Sequence, residues 1–221
     1  IGSLVLNSGV GGLNPEVAEV AAKAGAKVIW MPTYSSVVDT KWRMKNTNYF
    51  LSPTKAVSEG GISLLGEDGK LVPKMAPILE IIKSNNIVLS TGHIAIPEIY
   101  AITNEARRMQ IKVTITHPLT EGYGSTLTLE QQKELVSKGA YIEHCFLACV
   151  PPFGKLDPAM MVEHIKAVKA EHCILCTDFG QDFNPTPIET LPRTTAGYGC
   201  QVIQRAKHER QRTHLTQRWR T

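Results

Sequence analysis

The sequence has no apolar run that approaches the roughly 20 residues a membrane-spanning helix needs. Its first residues, "IGSLVLNSGVGG", have no basic segment before the apolar one, so we expect no secretory signal peptide. Both absences favour a cytoplasmic protein without a membrane partner. The five cysteines are an odd number, and Cys145, Cys173 and Cys176 fall on or beside predicted core strands, which favours reduced thiols.

The sequence motifs of two large enzyme classes are also missing. The glycines of "NSGVGGLNP" (Gly9, Gly11 and Gly12) do not have the G-x-G-x-x-G spacing of dinucleotide-binding proteins. No G-x-S-x-G sequence occurs, so the nucleophile turn of that class of serine hydrolases is absent. The sequence therefore favours neither a dinucleotide-dependent enzyme nor a serine hydrolase of that type.

Charge is unevenly distributed along the chain. The net charge is +4, yet residues 193–221 alone carry seven Lys or Arg and one Glu, so residues 1–192 have a small net negative charge. A basic segment can bind nucleic acid, but "HERQRTHLTQRWRT" contains no phosphate-binding motif. We expect residues 1–192 to form an α/β domain and residues 193–221 to be a poorly ordered basic tail without a nucleic-acid partner.

Short apolar runs alternate with helix signals along most of the chain. Helix starts carry the usual capping residues, such as Asn14 before Pro15, and Thr128 with Gln131 in a capping box. Residues 33–61 are predicted to be a long polar loop. Strands are predicted at residues 3–7, 26–32, 86–90, 111–116, 140–145 and 172–178, and a hairpin at 62–72. Helices are predicted at residues 15–24, 75–84, 97–109, 128–138 and 158–170.

The order of these elements predicts the fold class. Several of the predicted strands are apolar throughout, as expected of parallel strands that are covered on both faces. Strands that alternate with helices indicate a parallel α/β sheet. An open doubly wound sheet and a (β/α)8 barrel both agree with this pattern.

Polar residues stand at or near the C-terminal ends of four successive predicted strands. His93 and His117 follow two of them, Glu143 and His144 end the next, and Asp178 ends the last. The C-terminal ends of parallel strands face one common opening, where binding sites are built. We therefore predict a site at this opening, with side chains suited to a metal ion or to acid–base chemistry.

The chemistry of these side chains suggests a role for each. We predict that His93, His117 and Asp178 bind a divalent metal ion, with zinc the expected ion. Asp178 is also predicted to take the proton of an attacking water, which the metal makes more acidic. Glu143 and His144 are neighbours, so their side chains point to opposite faces of a strand. We expect His144 to face the opening and to orient substrate or complete the metal shell, with Glu143 as the alternative or as an outer partner.

A mechanism without metal is an alternative. In it a histidine at the opening acts as the base for a Ser or Cys nucleophile, such as Ser90, near His93, or Cys145 or Cys149. Cys173 and Cys176 form a C-x-x-C sequence, but residues i and i+3 of a strand face opposite sides. That pair is therefore poorly placed to bind one ion or to act as a redox pair.

The segments "LSTGH", "THP", "IEHC" and "ILCTDFGQ" resemble, in their order, the amidohydrolase superfamily of metal-dependent hydrolases on a (β/α)8 barrel. Together with "GGLNPEV", "AKVIWMPT" and "GISLLGEDGKL", they look like an uncharacterised amidohydrolase-like branch, over roughly residues 1–190. The resemblance implies that the protein hydrolyses an ester, lactone or amide bond of a small-molecule substrate.

In that superfamily the metal ligands are an H-x-H pair on the first strand, a histidine on the fifth, one on the sixth and an aspartate on the eighth. If the strands here are the third to the eighth, then His93, His117 and Asp178 match the last three ligands. The sequence contains no H-x-H, and its second strand ends without a Lys or Glu to bridge two ions, so a mononuclear site is implied. The expected fold is an incomplete TIM-type barrel of about six parallel strands alternating with helices, followed by an atypical tail.

An incomplete barrel has two open sheet edges and an uncovered interior. We therefore expect a homo-oligomer, in which a second copy covers them. A further alternative is a non-catalytic, truncated fragment that oligomerises, which the missing H-x-H and the basic tail would both explain.

Overall fold

The computed structural model describes residues 2–45, 60–121, 125–151, 154–180 and 184. Its strands are β1 (Gly2–Val5), β2 (Ala26–Trp30), β3 (Val88–Ser90), β4 (Val113–Thr116), β5 (Tyr141–Cys145) and β6 (Cys173–Cys176). Its α-helices are α1 (Pro15–Lys23), α2 (Val37–Lys45), α3 (Met75–Ser84), α4 (Ile96–Met109), α5 (Leu129–Ser137) and α6 (Pro158–Val168). Short 3-10 helices cover Ser8–Val10, Phe146–Cys149 and Ala170–His172. None of the helices described has both the length and the apolar character needed to cross a membrane.

The six strands form one parallel sheet in which each strand pairs with the next one in the sequence, in the order β1-β2-β3-β4-β5-β6. A doubly wound sheet reverses its strand order at a switch point, and this sheet does not. Because parallel crossovers are right-handed, a sheet wound in one direction carries its helices on one face. The prediction of six parallel strands alternating with helices is confirmed, and the strand order is that of a partial TIM-type barrel. The sheet is open, since within the described residues β1 and β6 pair with no further strand.

The hydrophobic core lies between the sheet and the helices that cover it. Helix α1 packs against α3 and against the first two strands. The fully buried core residues of the inner strands are Ile29, Leu89, Ile115 and Ile142. Burying each such side chain stabilises the fold by about 1.5–3 kcal/mol. The core therefore holds the strand ends as a rigid frame.

The caps predicted for two helices are confirmed. The Asn14 side chain accepts a hydrogen bond from the backbone N–H of Glu16 at 2.9 Å, at the start of α1. At the start of α5, Thr128 Oγ1 accepts from the Gln131 N–H at 3.2 Å, and Gln131 Oε1 accepts from the Thr128 N–H at 2.8 Å. Each cap satisfies backbone donors that the first helical turn leaves unpaired.

The long loop predicted for residues 33–61 is wrong for its first part, because residues 37–45 form helix α2. This helix has no clear apolar stripe, which is the signal that predicts a helix from sequence. Instead it buries two polar side chains, Asp39 and Thr40. Residues 46–59, the predicted tail and the predicted boundary at 192 lie outside the described residues.

Candidate functional site

A pocket of about 490 Å³ lies at the C-terminal ends of the strands. Four of the five predicted site residues, His93, His117, Glu143 and Asp178, line this pocket, whereas His144 does not. The aromatic side chains of Trp30 and Tyr34 also contribute to its wall. The sheet therefore gathers the polar residues of separate strand ends at one opening, as parallel α/β sheets do.

The imidazoles of His93 and His117 lie side by side in this pocket. Their ring centroids are 4.8 Å apart, and the two residues are 8% and 3% exposed. Burial lowers the pKa of His117 to about 3, and the neighbouring His93 adds to that effect. His117 is therefore neutral at ordinary pH, which is the form of histidine that binds a metal ion.

Helix α2 supplies a carboxylate that holds the His93 ring. His93 Nδ1 donates to Asp39 Oδ2 at 2.6 Å, and Arg43 Nε donates to Asp39 Oδ1. Asp39 is fully buried. Burial alone would raise the pKa of Asp39, but the hydrogen bonds and charges of His93 and Arg43 together lower it. The ionised carboxylate therefore fixes the orientation of His93, as carboxylates do for metal-binding histidines.

Sequence reasoning missed Asp39 and Arg43, because both lie in the segment predicted to be a loop. Their spacing of four residues is the one signal that could have suggested a helical ion pair. The pairing of Asp39 with His93, by contrast, joins residues 54 positions apart, and no local pattern encodes it.

Left-handed backbone conformations follow three of the strands that form the pocket. Gly92 has a φ of +58°, His117 of +27° and Asp178 of +57°. At Gly92 a Cβ atom would lie 2.5 Å from the carbonyl oxygen of Met31, so only glycine fits there. Positive φ is uncommon for residues other than glycine, and strained conformations concentrate at functional sites. Two of the three predicted ligands therefore occupy backbone positions typical of such sites.

Asp178 stands at the rim of the pocket. The residue is exposed, but its carboxyl lies among protein atoms of the pocket wall, and this desolvation raises its pKa, while His93 partly lowers it. Among the residues that the structure describes, one set of three ligand side chains has all its ligand atoms within 4.8 Å of one another, and it is Glu143, Cys145 and Cys176. His93, His117 and Asp178 share the pocket at wider spacing, so binding one ion would draw their side chains together.

The placement of His144 differs from the expectation. Along β5 the side chains alternate, so Glu143 and Cys145 line the pocket while His144 is buried on the opposite face. Burial lowers the pKa of His144 to about 3, with a smaller effect from His164 of α6. Neither ring nitrogen of His144 has a hydrogen-bond partner among the described residues. Glu143, the alternative, is therefore the residue of this pair that faces the opening.

The candidate nucleophiles of the mechanism without metal have other partners. The buried hydroxyl of Ser90 lies 2.9 Å from each of the hydroxyls of Thr114 and Thr116, rather than next to an imidazole. Burial raises the pKa of the Cys149 thiol to about 11. A thiol with a raised pKa carries little thiolate and is a poor nucleophile. Neither Ser90 nor Cys149 is therefore placed as an activated nucleophile.

The chain belongs to DUF6282, a family of unknown function, whose family model matches residues 1–143, more than half of the chain. The match includes His93 and His117 and ends at Glu143. A crystal structure of an amidohydrolase from Pseudomonas aeruginosa is similar at 14% sequence identity, with a TM-score of 0.49. The similarity covers 85% of this chain and 52% of that one, so this chain spans about half the length of that protein. None of the curated proteins matches the chain.

Proposed function

We propose that the protein is a metal-dependent hydrolase of the amidohydrolase type, which cleaves an ester, lactone or amide bond of a small molecule. The observation that supports this function is the pair of imidazoles, His93 and His117, whose ring centroids are 4.8 Å apart in one pocket with Asp178. All three residues follow the C-terminal ends of parallel strands, where the sites of parallel α/β enzymes are built.

The side chains fit an ion of the zinc type. Catalytic zinc sites commonly use three His, Asp or Glu ligands and keep one position open. His93, His117 and Asp178 are such a set, and Asp39 would hold the His93 ring through Nδ1. The three residues would hold the ion, and the remaining space of the pocket would admit the substrate.

A bound divalent ion would supply Lewis acidity, which polarises a carbonyl group and makes water a stronger acid. Asp178, whose pKa is raised by burial, accepts the proton of the water that attacks the carbonyl carbon. Burial raises the pKa of Glu143 to about 7, and its side chain faces the opening, where it would help to orient the substrate. Trp30 and Tyr34 form the pocket wall beside the reacting group.

The test combines elemental analysis of the purified protein with a panel of esters, lactones and amides. His93→Ala and His117→Ala should each hold one metal ion fewer per chain than the wild type and lose at least about 100-fold in kcat/KM, because each removes a ligand of the proposed catalytic ion. His172→Ala is the matched control, since His172 lies before β6 and outside the pocket. It should keep both metal and activity.

Two outcomes would contradict the proposal in different ways. Activity that is unchanged in both histidine variants and after chelation would eliminate the metal mechanism. Turnover no higher than that of heat-denatured protein across the whole panel would favour the non-catalytic fragment instead.

We also propose that the protein forms a homo-oligomer. Within the described residues β1 and β6 each pair with one strand only, and such sheet edges are commonly covered by another chain. Light scattering at micromolar concentration should give at least twice the 24.3 kDa mass of one chain. A monodisperse species of one chain's mass would contradict this proposal.

A further inference from the structure

A second group of ligand side chains lies in the same pocket, on β5 and β6. Cys145 and Cys176 are register partners at the ends of these neighbouring strands, and their sulfur atoms are 3.2 Å apart. Glu143 lies two residues before Cys145 on the same face of β5, and its Oε1 is 3.7 Å from the sulfur of Cys176. All three ligand atoms are within 4.8 Å of one another. We call Glu143, Cys145 and Cys176 the thiol cluster.

The spacing of these atoms can be compared with what an ion and a disulfide would require. With Zn–S of about 2.3 Å, Zn–O of about 2.1 Å and tetrahedral angles, two thiolates lie about 3.8 Å apart, and a thiolate and a carboxylate oxygen about 3.6 Å apart. The thiol cluster has 3.2 Å and 3.7 Å for these two distances. A disulfide would need the sulfur atoms to close to about 2.05 Å, which is the larger movement. The geometry is therefore nearer to a metal site.

The electrostatic environment of the thiol cluster also favours the binding of a cation. The buried Oε2 atom of Glu143 has no hydrogen-bond partner among the described residues. Burial raises the pKa of Glu143 to about 7; the hydrogen bond from the Cys176 thiol acts against this, and the nearby Asp178 adds to it. The neighbouring thiol of Cys176, burial and the two carboxyls all raise the pKa of Cys145. The carboxylate of Glu143 and the thiolate of Cys145 are therefore unfavourable unless a positive charge lies beside them.

We propose that Glu143, Cys145 and Cys176 form a binding site for a thiophilic divalent cation of the zinc class, separate from the His93, His117 and Asp178 set. On binding, each of the two sulfur atoms gives its proton to solvent and coordinates the ion as thiolate. The protonated fraction of Glu143 also releases its proton to solvent, and the resulting carboxylate is the third ligand. Solvent in the pocket would supply a fourth.

The test is a titration of metal-free protein with Co²⁺, in the presence of a phosphine reductant that keeps the thiols reduced. Co²⁺ adopts zinc sites and gives a thiolate-to-metal charge-transfer band in the near ultraviolet. In the wild type the band should saturate, and added Zn²⁺ should abolish it. The band should be absent from Cys145→Ser and from Cys176→Ser, and Glu143→Gln should weaken Co²⁺ binding by about 10-fold or more.

Two other cysteines serve as matched controls. Cys149 and Cys173 are described residues that lie outside the pocket, so Cys149→Ser and Cys173→Ser should keep the full band. Far-ultraviolet circular dichroism of each variant checks that it is folded, and Cys176→Ala replaces any serine variant that is not. The wild-type titration remains decisive whatever the variants do.

Reduced wild-type protein without the band would overturn the proposal. So would a band that persists when Cys145 and Cys176 are both replaced. If the reduced protein gives no thiolate band with Co²⁺ and the protein exposed to air loses two hydrogens in mass, with Cys145 and Cys176 joined, the thiol cluster is a redox pair and the metal site is refuted.

This inference and the proposed function can fail separately. His93→Ala should abolish hydrolysis while keeping the thiolate band, because it leaves the thiol cluster intact. A band without any hydrolysis would contradict only the proposed function. Hydrolysis that depends on His93 in a protein without the band would contradict only the thiol cluster.

Discussion

On one side of the pocket the chain supplies charges that balance one another, whereas on the other side it does not. The first side, here the imidazole half, holds His93 and His117, with Asp39 placed between His93 and the guanidinium of Arg43. The other side is the thiol cluster, where a carboxyl and two thiols meet near a second carboxyl, that of Asp178. His93, His117 and Asp39 are buried, and in the thiol cluster Cys145 is buried while Glu143 and Cys176 are partly buried. The two halves differ chiefly in the charged partners of their side chains.

This difference shows two ways in which a protein can prepare a binding site. In the imidazole half a buried ion pair fixes a ligand side chain before anything binds, which lowers the entropy cost of binding. In the thiol cluster the chain holds the ligand atoms close together, but the negative forms of Glu143 and Cys145 are unfavourable there. Removing a charge from the imidazole half should therefore lower the stability of the fold. Removing the ionisable carboxyl from the thiol cluster should raise it.

The largest effect is expected from Asp39→Ala, which breaks the imidazole half. It removes a fully buried anion that pairs with both Arg43 and His93, whose side chains are only 11% and 10% exposed. Breaking a buried ion pair in this way costs about 3–5 kcal/mol of stability. Urea denaturation at neutral pH measures the free energy of unfolding. Glu19→Ala, which breaks the exposed pair with Lys23 on α1, should leave it unchanged, and equal losses in both variants would contradict the comparison.

A somewhat smaller effect is expected from Gly92→Ala, which disturbs the turn before His93. The new Cβ would meet the backbone oxygen of Met31 at 2.5 Å, and the φ of +58° is unfavourable for alanine. We expect Gly92→Ala to lower the free energy of unfolding by about 3 kcal/mol, of which the backbone conformation accounts for about 1–2 kcal/mol. Gly139→Ala is the control, because Gly139 also has a positive φ but no atom within 4 Å of the added Cβ. Thermal denaturation should show the smaller loss for Gly139→Ala, and equal losses would rule out the close contact as a cause.

The smallest effect is expected from Glu143→Gln, which removes the ionisable carboxyl from the thiol cluster. The folded-state pKa of Glu143 is about 7, above its ordinary value of 4.5, so the folded protein holds this proton more tightly than the unfolded chain. Wild-type stability from this group is therefore present below pH 4.5 and is lost as the pH rises through 7. We compare the two proteins by urea denaturation in the presence of a chelator. Between pH 5 and pH 8 the free energy of unfolding of Glu143→Gln should rise by about 1–2 kcal/mol relative to that of the wild type, after allowance for partial exposure. A pH-independent difference between the two proteins would contradict the raised pKa.

Much of the fold follows from local patterns. The apolar run that ends before His93 and the one that ends before His117 became β3 and β4, and the caps at Asn14 and Thr128 began helices where they were expected. Helix α2 did not follow from its sequence, because the residues it buries, Asp39 and Thr40, are polar. A buried polar residue is stabilised by a partner that is distant in the sequence, and the spacing of apolar residues does not predict that partner.

The candidate site, too, is predicted by local sequence patterns in part, and in part depends on the whole fold. The sequence predicts His93, His117, Glu143 and Asp178 at strand ends. The alternation of side chains along β5 predicts that one of Glu143 and His144 faces the opening. Which of the two does so depends on which face of the sheet the helices cover, and that is a property of the whole sheet.

The sequence by itself determined where strands and helices run and which ligand-type side chains stand at the strand ends, because hydrophobic periodicity and helix capping act within a few residues. Only the tertiary structure decided that Asp39 holds His93 and that Cys145 meets Cys176. These pairs join residues 54 and 31 positions apart. Strand register and the packing of α2 against the strand ends create such contacts, and both arise only when the whole sheet assembles.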